Sequence, residues 1–184
     1  MFPDGMKSIY ARGKKMSNRV TYILAGGQLS LPFLKEQLNR HSDRTIIAAD
    51  RGLEACVSLG IEPDFVIGDF DSLDKTVREE FLSQEKNVTK LNPIKDDTDT
   101  EAALTLAFEK TEGDIIILGG TGTRLDHVLV NIGILGQGFA HGRSVELLDE
   151  HNRIRLADGP VTIKKREQYG KYVSLLPLTT EVRG

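Results

Sequence analysis

The chain has 184 residues, 39% hydrophobic and 28% charged, with a formal charge of −3, which is the make-up of one medium soluble domain or one domain and part of a second. Five basic side chains lie within residues 1–19 against the single acid Asp4, so the remainder holds 19 basic and 26 acidic residues, and such an acidic body lacks the basic stripe of a nucleic-acid binder. No apolar run approaches the roughly 20 residues that span a bilayer, and a lone Cys56 with no internal partner fits a reducing, cytoplasmic setting.

Residues 1–19 have no apolar h-region, so they are not a secretory signal. With Met6 and Met16 inside them, they read as a basic, disordered tail or as sequence upstream of the true start, with a transit peptide as the third option. Residues 20–25 form a first expected strand, which ends at Gly26-Gly27 and leads to a helix over 31–39. A second strand over 45–49 ends at Asp50-Arg51-Gly52, and a helix over 51–59 stops at Gly60. Residues 65–67 are a third strand, followed by a helix over 74–83. Then come a strand over 87–91, a helix over 98–110, a strand over 114–118 and a helix over 125–140. In that last helix Leu125, Val128, Leu129, Ile132, Leu135 and Phe139 make an apolar stripe. Short uninterrupted apolar strands alternating with helices indicate a parallel sheet covered on both faces.

Past Gly142 the helices stop. Residues 144–148, 152–156, 161–164 and 171–175 read as strands separated by turns. The expected organisation is therefore a tail over 1–19, an α/β domain over 20–142, and the start of an all-β domain over 143–184.

Ligands of parallel α/β sheets bind beyond the carboxyl ends of the strands. Four chemistry-bearing segments fall there. Asp69 and Asp71, in Gly68-Asp69-Phe70-Asp71-Ser72, point to one face of an extended chain, roughly 7 Å apart. Paired carboxylates repel unless a cation lies between them, and Mg²⁺ is the usual one. The plainer alternative is a helix cap from Asp71 or Ser72. Asp96, Asp97 and Asp99 crowd three acids into four residues. Thr98 with Glu101 has capping-box spacing, which explains Thr98, Asp99 and Glu101 without function but leaves Asp96 and Asp97 unexplained. Gly119-Gly120-Thr121-Gly122-Thr123-Arg124-Leu125-Asp126-His127 joins a strand to a helix. Its glycines let backbone approach a ligand, the helix start offers N–H groups to phosphate, and Arg124 adds a planar fork. A glycine turn with an Arg124–Asp126 surface ion pair is the alternative. No G-x-x-x-x-G-K-[ST] segment occurs, so this is not a P-loop enzyme. Cys56 sits in an apolar run and reads as a buried structural thiol.

In chain order, Ala49-Asp50-x-Gly52, Pro63-Asp64-x-x-Ile67-Gly68-Asp69-Phe70-Asp71-Ser72, Lys95-Asp96-x-Thr98-Asp99-x-Glu101 and Gly119-Gly120-x-Gly122-x-Arg124-x-Asp126-His127 together resemble the bacterial thiamine pyrophosphokinases. The resemblance implies a Rossmann-like α/β domain joined to a β-sandwich domain, a homodimer, and transfer of pyrophosphate from ATP to the thiamine hydroxyl with release of AMP. It implies that Asp69, Asp71 and Asp99 hold Mg²⁺, and that Asp50, Asp96 and Asp126 lie near metal or phosphates. Arg124 would contact the phosphate chain, with Gly52, Ser72, Thr98, Gly120, Gly122 and His127 around the nucleotide. Asp71, Asp99 and Arg124 are the candidate catalytic residues. Two departures stand out: Arg51 occupies a position where that family commonly has glycine, and the family's β domain continues past the position of Gly184, so the thiamine half reads as truncated. A pyrophosphokinase of another alcohol such as a hydroxymethylpterin, a nucleotidyltransferase, and an inactive nucleotide-binding fragment are the alternatives.

Overall fold

The computed structural model describes residues 19–68 and 98–178, and the backbone of 88–90. Asp69, Asp71, Ser72, Asp96, Asp97, the expected helix over 74–83 and the basic tail before Arg19 lie outside the described residues.

Seven strands form one sheet: β1 (Val20–Leu24), β2 (Arg44–Ala49), β3 (Phe65–Gly68), β4 (Val88–Lys90), β5 (Asp114–Leu118), β6 (Val145–Leu148) and β7 (Arg153–Arg155). Their spatial order is β4-β3-β2-β1-β5-β6-β7. All neighbours are parallel except the last pair, in which β7 runs antiparallel to β6. The helices are α1 (Leu31–Asn39), α2 (Gly52–Leu59), α3 (Asp99–Lys110), α4 (Leu125–Ile134) and α5 (Gln137–His141).

The alternation of side chains along each strand divides the core into two layers. Tyr22, Leu24, Ile46, Ala48 and Val66 point to one face and pack with Phe33, Leu34 and Leu38 of α1 and Leu53 and Cys56 of α2. Ile23, Ile47, Ile67, Ile115 and Ile117 point to the other and pack with Ala103, Leu104 and Ala107 of α3 and Ile134 of α4. With both faces covered, the strands need no polar side, which explains their continuous apolar character. Burial pushes the Cys56 thiol up to about 12, so it is an inert part of this core. Gly60 ends α2 in the left-handed conformation at φ 62°, as expected of a glycine placed there.

Two expectations change. Residues 145–148 and 153–155 do not open a separate all-β unit: β6 pairs parallel with β5, and β7 pairs with β6 as the edge of the same sheet. The reason is the crossover through α4 and α5, which returns the chain parallel to β5. All four residues of β6 are buried, as a parallel strand requires. Glu146 on β6 is nearly buried and is held by the Arg153 guanidinium at 2.7 and 2.8 Å across that edge. Residues 161–164 and 171–175 carry no strand, and Val161, Ile163, Tyr172, Leu175 and Leu176 are exposed.

The second change is in the last helical run. It breaks at Leu135-Gly136 into α4 and α5, and only the later part of its apolar stripe joins the core: Leu135 is buried and Ile132 packs against that layer. Leu125 and Leu129 are 69% and 60% exposed, while Asn131 and Ile134 are the buried positions of α4. The helix is turned so that a polar side chain faces inward.

Candidate active site at the switch point of the sheet

Strand order reverses between β1 and β5, because the chain fills one side of β1 with β2–β4 and then crosses to the other. At such a point the helices that follow two neighbouring strands leave toward opposite faces of the sheet, here α1 to one and α4 to the other, and a crevice forms beyond the strand ends. Here the two loops are glycine turns, Gly26-Gly27 after β1 and Gly119-Gly120 after β5. The Ala25 N–H donates to Leu118 O at 2.8 Å and the Gly27 N–H to Gly119 O at 2.9 Å, which zips the turns together. A Cβ on Gly27 would lie 2.3 Å from Gly119 O, so only glycine permits this approach. Gly119 itself adopts φ 71°.

The crevice opens into a cavity of about 1060 Å³, ample for a nucleotide. It collects parts of the chain far apart in sequence. Asp50 and Gly52 reach it from the β2–α2 turn, Thr98 and Asp99 from the start of α3, Gly120 and Gly122 from the loop after β5, and Arg124 and His127 from the start of α4. Of the described residues expected at the site, Asp126 alone does not line this cavity. It pairs instead with Arg124, Nη2 to Oδ2 at 2.5 Å and Nε to Oδ1 at 3.3 Å, on the surface. That bond holds the Asp126 carboxyl below its ordinary range and raises the Arg124 guanidinium further. The surface ion pair forms, and Arg124 also lines the cavity.

Asp50 is a non-glycine residue at φ 48°, a left-handed conformation that carries strain and is favoured among side-chain residues by aspartate and asparagine. Its N–H donates to Ile67 O at 2.8 Å, continuing the ladder past β2 while turning the chain toward the cavity. Gly52 follows because a Cβ there would lie 1.9 Å from Leu24 O. Helix α2 therefore begins hard against the end of β1.

Thr98 caps α3, its Oγ1 accepting from the Glu101 N–H at 3.2 Å, and Asp99 occupies the first turn. The other half of the capping box is diverted, since Glu101 Oε1 accepts from Gln137 Nε2 at 2.8 Å. That bond ties α3 to α5.

Asn131 is the residue the sequence reading missed. It is 6% exposed, and its Nδ2 donates to Gly120 O at 2.7 Å, fixing the phosphate-type loop from inside α4. An asparagine within Leu125–Ile134, an otherwise largely apolar helix, is the signal that could have found it. The β1 turn at Gly26-Gly27 was likewise legible only as a strand end.

Hard oxygen donors, Asp50 and Asp99, line the cavity and suit Mg²⁺ in kind. Among the described residues no cluster of three metal-ligating side chains occurs.

The profile of the family "Thiamin pyrophosphokinase, catalytic domain" matches residues 36–147. The thiamine pyrophosphokinase of Bacillus subtilis (strain 168) is 33% identical over 162 residues, covering 87% of this chain and 74% of the relative. The crystal structure of thiamine pyrophosphokinase from Bacillus subtilis superposes with a TM-score of 0.64 at 30% identity, over 74% of this chain and 63% of that one. That from Geobacillus thermodenitrificans gives 0.61 at 30% identity, over 73% and 61%. This chain thus spans less than two thirds of those two solved chains. Thiamin pyrophosphokinase from Candida albicans, at 17% identity and a TM-score of 0.54, shares the fold. The chain belongs to the thiamin pyrophosphokinase family.

Proposed function

We propose that this chain transfers pyrophosphate from Mg-ATP to the hydroxyl of thiamine, yielding thiamine diphosphate and AMP. The observation that carries the proposal is the convergence of two zipped glycine turns, Arg124, Asp50 and Asp99 on one cavity at the strand-order switch point. Family membership adds the reaction class. The phosphate chain lies along the backbone of Gly26-Gly27 and of Gly119, Gly120 and Gly122, where the glycines leave its approach open. Arg124 leaves its exposed partner Asp126 to contact the transferred group, whose charge develops as the thiamine oxygen attacks the β-phosphorus and AMP departs. Both partners are largely exposed, so the exchange costs little.

Asp69, Asp71 and Asp99 hold Mg²⁺ in this proposal, with Asp50 and Asp96 close by. When bound, the cation neutralises the phosphate oxygens that these carboxylates would otherwise repel. Asp71 and Asp99 are also the candidate bases for the thiamine hydroxyl. Gly52, Ser72, Thr98 and His127 complete the nucleotide surroundings. Exposed apolar side chains past β7, among them Val161, Tyr172 and Leu175, belong to the thiamine side of the protein. A homodimer and a cytoplasmic location are part of the same reading; the exposed Leu125, Leu129 and Val130 on α4 supply apolar surface for a partner copy. No helix among the described residues is long and apolar enough to cross a membrane.

Incubation with Mg²⁺, ATP and either thiamine or a hydroxymethylpterin, with chromatographic product identification, tests the reading. AMP and thiamine diphosphate are expected in equal amounts. Turnover with the pterin alone would replace the alcohol, and release of pyrophosphate would replace the reaction.

A further inference from the structure

Among the described residues lining the cavity, Arg51 and Arg124 are the arginines and no lysine joins them. Facing them are Asp50, Glu54, Asp99 and Glu109. A nucleoside triphosphate brings more negative charge to a rim that is already acidic, so each guanidinium there weighs on affinity. Arg124 has a place in the reaction above, and Arg51 has none.

Geometry puts Arg51 beside the phosphate-type turns. The left-handed Asp50 directs the chain back across β1: a Cβ on Gly26 would lie 3.3 Å from Asp50 Oδ2 and 3.5 Å from both Arg51 N and Arg51 Cβ. The stem of Arg51 therefore flanks the Gly26-Gly27 turn. The loop carrying Arg124 borders that turn as well, since a Cβ on Gly122 would lie 3.7 Å from Gln28 N. The turn thus stands between the backbone of Arg51 and the loop that leads to Arg124.

The Arg51 guanidinium is also available. Its side chain is 57% exposed, and its ion pair among the described residues is a single contact from Nη2 to Glu54 Oε2 at 3.4 Å. A long, solvated contact of this kind exchanges easily. A phosphate group offers the planar fork two parallel acceptors, a better match than one distant carboxylate oxygen.

We propose that Arg51 is a polyphosphate-contact residue, which releases Glu54 to bind the phosphate chain of the nucleotide and so makes affinity rise with phosphate number. This rests on the nucleotide reading of the cavity. The test is calorimetric titration of the full chain with ATP, ADP, AMP and inorganic tripolyphosphate, each with Mg²⁺, at three salt concentrations. Arg51→Ala should weaken ATP and tripolyphosphate roughly 3- to 10-fold and reduce the salt dependence by about one charge, with AMP much less affected. Arg51→Lys should keep the salt dependence. Glu54→Gln, which leaves Arg51 intact and frees it, should tighten ATP roughly 2- to 3-fold. Unchanged ATP affinity and salt slope in Arg51→Ala, with Arg124→Ala weakened, would overturn the role of Arg51 and leave the nucleotide site standing. Equal weakening of AMP and ATP would also overturn it. Failure of the wild-type chain to bind either ATP or tripolyphosphate would remove both readings.

Discussion

Replacement of Asn131 by leucine separates the framework of the glycine loop from its chemistry. The two side chains have the same number of heavy atoms and the same branching, with leucine the bulkier, so the substitution opens no cavity in α4. It does remove the 2.7 Å bond to Gly120 O, at a site where Asn131 is 6% exposed. A buried carbonyl left without a donor costs about 1–3 kcal/mol. For a chain of this size that corresponds to a fall in melting temperature of roughly 2–12 °C. The loop from Gly119 to Arg124 also loses its anchor, so turnover should fall by more than the loss of folded protein accounts for. Urea unfolding read by circular dichroism gives the first quantity, and AMP release under conditions where the variant is fully folded gives the second. Asn131→Asp should be no better, because an ionised carboxylate cannot donate to a carbonyl. A leucine variant with wild-type midpoint and wild-type turnover would refute the anchoring role.

Gly52→Ala should destabilise by about 3 kcal/mol or more, or fail to fold, because its Cβ would fall 1.9 Å from the Leu24 carbonyl oxygen; a soluble variant with an unchanged urea midpoint would contradict the close approach. Tyr22→Phe should cost about 1–2 kcal/mol in the same assay, since the buried hydroxyl donates to Gln37 O at 2.7 Å and meets His41 Nδ1 at 2.6 Å. With the hydroxyl proton committed to Gln37, His41 supplies the proton from Nδ1, and burial, then Arg40 and Arg44, lower its pKa. The sign follows: the unfolded state takes up the proton first, so this contribution is complete above the ordinary value near 6.5 and declines as pH falls below it. Stability measured from pH 7.5 to 5 should slope downward toward acid, and His41→Gln should flatten that slope; an unaltered slope in the variant would exclude His41. Asp71→Asn should lower turnover by orders of magnitude with little change in melting temperature, and near-wild-type activity would remove Asp71 from the proposed metal site.

The strands and helices of the α/β sheet were legible because burial on both faces leaves an uninterrupted apolar signature, as in Val20–Leu24 and Asp114–Leu118, between amphipathic segments. The site was legible for the same reason: polar and glycine residues stand out where such strands end. Two features were not. The stripe along α4 looked like core, yet Leu125 and Leu129 are exposed, because helical spacing fixes which residues share a face and not which face turns inward. Asn131, on the inward face with Ile134, bonds to a loop eleven positions earlier, a pairing no local pattern carries. The last strands were placed in a second domain because residues 144–156 lack helices between them. Register shows instead that Ile115–Leu118 pairs with Val145–Leu148, and that β7 closes the edge. In the sequence Arg51 is only a departure from a glycine position; its place beside Gly26 depends on the left-handed conformation of Asp50, which no local pattern reveals.

The central claim is that the switch-point cavity holds ATP so that its β- and γ-phosphates, and neither the α-phosphate nor the γ alone, pass to an alcohol. Isotopic labelling of ATP at the α- and γ-phosphorus separately, followed by separation of products after incubation with Mg²⁺ and thiamine, tests it directly. The account predicts γ-label in thiamine diphosphate and α-label in AMP. Transfer of α-label to thiamine, or γ-label released as free phosphate with no thiamine diphosphate formed, would contradict it.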